Sequence, residues 1–120
     1  MILARALAQE APLLLLDEPA AFLDIRHEVE IYDLLHDLQG QGHTIVSVLH
    51  DLNLAALYCD RVALIKEGRL VQVGAPQQVI TYAQLTSVYE TEVYVDVNDV
   101  TGAVNVLPLS RPYRERLRRG

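Results

Sequence analysis

Four consecutive leucines, Leu13 to Leu16, end abruptly in two carboxylates, Asp17 and Glu18, with Pro12 and Pro19 as bookends. An apolar run this short, without a polar break, suits a strand buried on both faces of a parallel sheet. Periodicity alone also allows a buried helix. The run is too short to cross a bilayer. Ligands of open α/β sheets gather beyond the carboxyl ends of the strands. Two acids at such an end are therefore placed for a metal ion and for proton chemistry.

The flanking sequence extends this pattern. Residues 2–10 (ILARALAQE) are rich in Ala and Leu and predict a helix, although no capping residue opens it. After the acids, Pro19 to Leu23 form a loop, and Asp24 is a good N-cap for a helix over residues 25–39. Ile25, Val29, Tyr32, Leu35 and Leu38 make its apolar stripe, and Gly40 and Gly42 end it. A β-branched second strand, residues 43–49, ends in His50 and Asp51, and a helix over residues 52–59 follows. Strand, helix, strand, helix is the signature of a parallel sheet. If the two strands are neighbours, Asp17, Glu18 and His50 meet at one rim.

From Asp60 onwards the character changes. RVALIK (residues 61–66) and RLVQV (69–73) flank Glu67-Gly68, a hairpin signal. Two short helices are expected next, one opening at Pro76 and one capped by Thr81. A second hairpin joins residues 92–97 to residues 103–107. The expected division is a βα core over 1–66, a hairpin-and-helix extension over 67–110 and a basic tail over 111–120.

Charge supports this division. The last ten residues carry five arginines against Glu115, a net of +4, whereas the preceding 110 carry about −10 with histidine neutral. An acidic body argues against a nucleic-acid footprint spread over the fold. The tail is read as a solvated, frayed end. Cys59 is the only cysteine, which excludes an internal disulfide and fits a reducing compartment. Glu10 and Pro12 interrupt the N-terminal apolar stretch, which disfavours a secretory signal. No run is long enough for a membrane span, so a cytoplasmic location is expected. His27, His36 and His43 show no ligand spacing, and the tyrosines read as packing residues.

The chemistry of the acid pair can be stated from the residue types. Mg²⁺ prefers oxygen ligands and keeps several waters, so one strand-end carboxylate plus nucleotide phosphates is a sufficient set. Asp17 suits that role. Glu18 suits a carboxylate that orients or deprotonates an attacking water, and His50 suits a hydrogen-bond donor to a terminal phosphate.

On these residues the chain resembles the C-terminal half of an ABC transporter ATP-binding subunit. LLLLDEP resembles the Walker B motif with its catalytic glutamate, AAFLD the D-loop, and VLHDLNLA the switch-histidine segment. The likeness continues through CDRVALIKEGRLVQVGAPQQVI, and YETEVYVDVNDVTGAVNVLPL resembles the importer branch for iron–siderophores, haem and cobalamin. The resemblance implies a partial P-loop NTPase sheet of α/β class with C-terminal antiparallel hairpins. It implies ATP and Mg²⁺ as ligands, with Asp17 toward Mg²⁺ through water, Glu18 polarising the water, Asp24 touching a partner cassette and His50 sensing the γ-phosphate. It also implies a second ATPase subunit and membrane permeases as partners, with the chain peripheral on the inner face of the cell membrane. Two alternatives stay open: a DNA-repair or chromosome-structure ATPase, and a non-catalytic dimerisation or regulatory module. One departure is plain. No G-x-x-x-x-G-K-[ST] occurs in the sequence, and its sole lysine is Lys66. Without that phosphate cradle the 120 residues alone are expected not to turn over ATP.

Overall fold

The computed structural model describes the backbone of residues 2–5 and residues 13–119. In chain order its first part comprises β1 (Ile2–Arg5), β2 (Leu13–Asp17), α1 (Ile25–Gly40), β3 (Thr44–Leu49) and α2 (Leu52–Tyr58). The second part comprises β4 (Arg61–Lys66), β5 (Arg69–Gly74), α3 (Pro76–Val79), α4 (Tyr82–Tyr89), β6 (Val93–Val97), β7 (Val104–Pro108) and α5 (Arg111–Arg119). One five-stranded sheet runs β2-β3-β1-β4-β5, and β6 pairs with β7 alone.

The leucine run is a strand. It lies parallel to β3, with Leu13 opposite Thr44 and Asp17 opposite Val48. The expected unit of two neighbouring parallel strands joined by a helix is therefore present. β2 is the outermost strand of the sheet, so the leucine run lacks full cover, as expected of a parallel-sheet edge. Leu13 and Leu15 are 57% and 72% exposed, while Leu14 and Leu16 are partly covered. Elsewhere the sheet is antiparallel, in the β1–β3, β1–β4 and β4–β5 pairs.

The helix predicted over residues 2–10 is corrected at its start. Ile2–Arg5 form a strand inserted between β3 and β4, pairing antiparallel with both. Helix propensity is a weak prior, and eight backbone positions on the two flanking strands offer ladder partners that local preference does not outweigh. The remainder of that expectation falls outside the described residues.

Most other elements follow the sequence closely. The Glu67-Gly68 turn has both residues at positive φ, 52° and 76°, the geometry that matches a two-residue hairpin to strand twist. Thr81 caps α4, its side chain accepting from Gln84 N at 3.3 Å. The arginine tail departs from expectation: it is helical, with Arg118 paired to Glu92 at 2.8 Å and Arg114 donating to the Leu109 carbonyl at 3.0 Å.

The core lies away from β2. Leu49, Ala55, Val62, Leu64 and Val79 form one buried cluster, and Ala56, Ile80, Leu85, Val93 and Val106 form another. Leu52 packs against both. Asn53 joins α2 to β7, accepting from Val106 N at 2.6 Å and donating to Val106 O at 3.1 Å. These contacts fix α2, and with it the residues that precede α2 at the end of β3. No helix among the described residues is long and apolar enough to cross a membrane.

Candidate functional site

The parallel register sends β2 and β3 to the same rim of the sheet. Glu18 follows Asp17 directly, and its N–H donates to the Val48 carbonyl at 2.9 Å, extending the ladder one residue past the strand. Glu18 then turns with φ of 43°, a left-handed conformation uncommon outside glycine. Strained backbone of this kind concentrates at functional sites, where surrounding contacts hold it. Here the holding contacts are the bond to Val48 and a turn in which Ala21 N donates to the Glu18 carbonyl at 3.0 Å.

His50 is the first residue beyond β3. Its backbone is fixed from both sides, by β3 and by Asp51, which caps α2 by accepting from Asn53 N and Leu54 N at 2.9 and 3.2 Å. The imidazole Nε2 lies 3.5 Å from Glu18 Oε1. Two side chains 32 positions apart in sequence are thus brought to the outer limit of hydrogen-bonding distance. The His50 ring is mostly exposed, while Glu18 is the more covered of the two, at 64% and 34% side-chain exposure. Both therefore face an accessible rim.

Asp17 stands on the exposed face of β2 at the same end. Asp24 is separate from this group. It caps α1, and its Oδ1 accepts from His27 N at 3.0 Å and lies 2.8 Å from His27 Nδ1. The backbone hydrogen bond from His27, followed by the ring contact, holds the Asp24 carboxyl below its ordinary range. The sequence reading anticipated the cap but missed His27. The available signal was its position three residues after a capping aspartate, where N–H and ring can both turn toward one carboxylate.

The residues present fit a divalent cation in part. Among the described residues no group of three or more His, Cys, Asp or Glu side chains is arranged to hold a metal. Asp17 offers one accessible carboxylate, which suffices for Mg²⁺ only when phosphates and water complete the octahedron. Among the described residues nothing at the rim provides a phosphate cradle. Lys66 is engaged elsewhere, donating to the Ser87 carbonyl at 3.2 Å and lying 3.5 Å from Glu90. The rim thus presents two carboxylates and an imidazole to solvent.

A cleft of about 310 Å³ lies elsewhere, between α1, β3 and α2. Tyr32 and Tyr58 stack at its side, with ring centroids 4.3 Å apart and planes within 6°. Gln39 donates to Asp60 across its mouth. Burial pushes the Tyr32 phenol and the Cys59 thiol up to about 12 each, with smaller contributions from nearby acidic groups.

No protein-family model matches the chain. Individual proteins do. The cobalamin import ATP-binding protein BtuD of Halobacterium salinarum is 43% identical over 110 residues, which are 91% of this chain and 28% of that protein. The hemin import ATP-binding protein HmuV of Streptomyces coelicolor is 48% identical, over 92% of this chain and 39% of its own length. The ferric enterobactin transport ATP-binding protein FepC of Escherichia coli is 37% identical, over 91% and 41%. The chain therefore spans less than half the length of these relatives. Among solved structures, an inward-facing metal-chelate-type ABC transporter aligns with a TM-score of 0.70 over 83% of this chain and 41% of that one, at 22% identity, a likeness of fold.

Proposed function

The homologues of this chain are ATP-binding subunits of ABC importers, and from that premise we propose that its acid–imidazole rim is the hydrolytic half of an ATP site. The observation that carries the reading is the approach of His50 Nε2 to Glu18 Oε1 at 3.5 Å, across the ends of two adjacent parallel strands. Glu18 orients the attacking water and takes up its proton as attack proceeds. His50 Nε2 faces the Glu18 carboxylate, and the same N–H turns to donate to the terminal phosphate when nucleotide is bound. Asp17 holds Mg²⁺ through water, and that ion supplies charge neutralisation at the phosphates when bound. Asp24, paired with His27 at the start of α1, is placed to meet a second ATPase subunit.

The phosphate-binding loop is contributed by polypeptide other than these 120 residues. The same reading makes the chain part of a peripheral subunit on the inner face of the cell membrane, working with permease subunits in uptake of iron–siderophore, haem or cobalamin. The names of the relatives support this range of cargo, which belongs to the wider assembly rather than to the rim.

Two measurements test the reading. Calorimetry on the 120-residue chain should detect no low-micromolar binding of MgATP. With a P-loop-bearing segment supplied, Glu18→Gln should abolish hydrolysis while nucleotide binding persists, and turnover near the parent level would remove Glu18 from this role.

A further inference from the structure

Two exposed helical faces of opposite charge have no role in the ATP site. On α1, Tyr32 points into the fold at 4% exposure. Glu30 and Leu34, two positions to either side, lie on the opposite side of the helix with Asp37 beside them, while Asp33 stands at the edge that borders the Tyr58 cleft; both aspartates are exposed. Leu34 is 53% exposed. Arg26 pairs with Glu30, at 3.3 Å. Among the described residues neither Asp33 nor Asp37 has an ion-pair partner.

The second face belongs to α5. Arg114 and Arg118 are spent on Leu109 and Glu92, which orders the helix against β6 and its hairpin. Arg116, two residues from each, lies roughly opposite them and stands 5.6 Å from the Tyr113 ring centroid. Arg119 has no ion-pair partner among the described residues. Tyr113 and Leu117, at i and i+4, are 54% and 58% exposed.

We propose that α5 of one copy docks on the outer face of α1 of a second copy. Arg116 and Arg119 at i, i+3 meet Asp33 and Asp37 at i, i+4, spacings that both place charges about 5–6 Å apart along a helix surface. Tyr113 and Leu117 cover Leu34. A membrane or RNA would engage the arginines but leave the acidic face and Leu34 unaccounted for; a second copy accounts for both. The contact uses neither Glu18 nor His50 and needs no nucleotide, so it stands or falls independently of the ATP site.

The test is sedimentation equilibrium of the 120-residue chain without nucleotide. Self-association is expected, weakening about tenfold as salt rises from about 50 to about 500 mM. The R116E/R119E double variant should lose about tenfold or more in affinity with its far-ultraviolet circular dichroism unchanged. A D33R/D37R double variant should then associate with R116E/R119E, restoring the pairing by charge exchange. A monomer at all salt concentrations overturns the proposal. So does association unaltered in R116E/R119E, which would assign it to the exposed β2 edge. Failure of the charge exchange overturns it too, as does a monomeric parent chain that cosediments with phosphatidylglycerol vesicles or RNA.

Discussion

Compare the segment from Arg61 to Leu85 with the segment from Leu13 to Tyr32. Both are rich in large apolar residues, yet they are packed very differently. In the first, Val62, Leu64, Val79, Ile80 and Leu85 are all at most 1% exposed. In the second, Leu13, Leu15, Ile25 and Val29 range from 41% to 80% exposed, and Tyr32 is the one residue of α1 that is buried. The segment that carries the acid pair is thinly covered, and the segment that holds the core carries none of the proposed chemistry. Hydrophobic stabilisation follows area removed from water, so it is concentrated in the C-terminal hairpins and helices. The rim of Asp17, Glu18 and His50 is held instead by hydrogen bonds and by its register with β3.

The sharpest way to break this comparison is a truncation in the core. Leu85→Ala should cost about 3 kcal/mol, read as a lower urea midpoint, because its fully buried side chain leaves a cavity. Asn53→Ala comes next, at about 2 kcal/mol, since it strands both backbone groups of Val106 in a partly buried place.

A third test concerns the seam between the two regions, where Tyr32 and Cys59 both keep their protons longer in the folded state. The ordinary values are 10.0 and 9.0, and both rise to about 12 on folding. The native state therefore binds more protons than the unfolded chain in this window, and stability falls as pH rises from about 9 to about 12. Thermal melts across that range should show the loss, with Cys59→Ala removing its earliest part. Last and smallest, Leu15→Ala should change stability by under about 0.5 kcal/mol, since its side chain is already largely in water. Equal losses at Leu15 and Leu85 would erase the contrast.

Much of this was legible in the sequence, for reasons that differ by residue. The Glu67-Gly68 turn, the Asp24 cap and the Thr81 cap were readable because a local hydrogen bond or a required φ dictates the residue type. The meeting of Glu18 and His50 was readable because a parallel crossover leaves little freedom in where strand ends lie. The covering of α1 was not. Its stripe of Ile25, Val29 and Leu35 announces a buried face, but amphipathic spacing says only that a face is apolar, not that a partner is present. Ile2–Arg5 misled because helix propensity is local whereas the ladder it joined is tertiary. His27 is not legible because it has no metal-ligand spacing and its contact with Asp24 depends on how the first turn of α1 is capped. The arginine tail looked frayed because its anchors, Glu92 and the Leu109 carbonyl, lie outside the tail itself.

The Tyr32–Tyr58 stack has a practical use. The chain contains no tryptophan, so no stronger fluorophore masks its six tyrosines. One ring of the pair rides on α1 and the other on α2, and α2 begins two residues after His50. Any shift of the segment that carries α1 relative to the one that carries His50 and α2 must slide or part these rings. Near-ultraviolet circular dichroism, and phenol emission with Tyr58→Phe as the blank, would turn the fold into its own strain gauge.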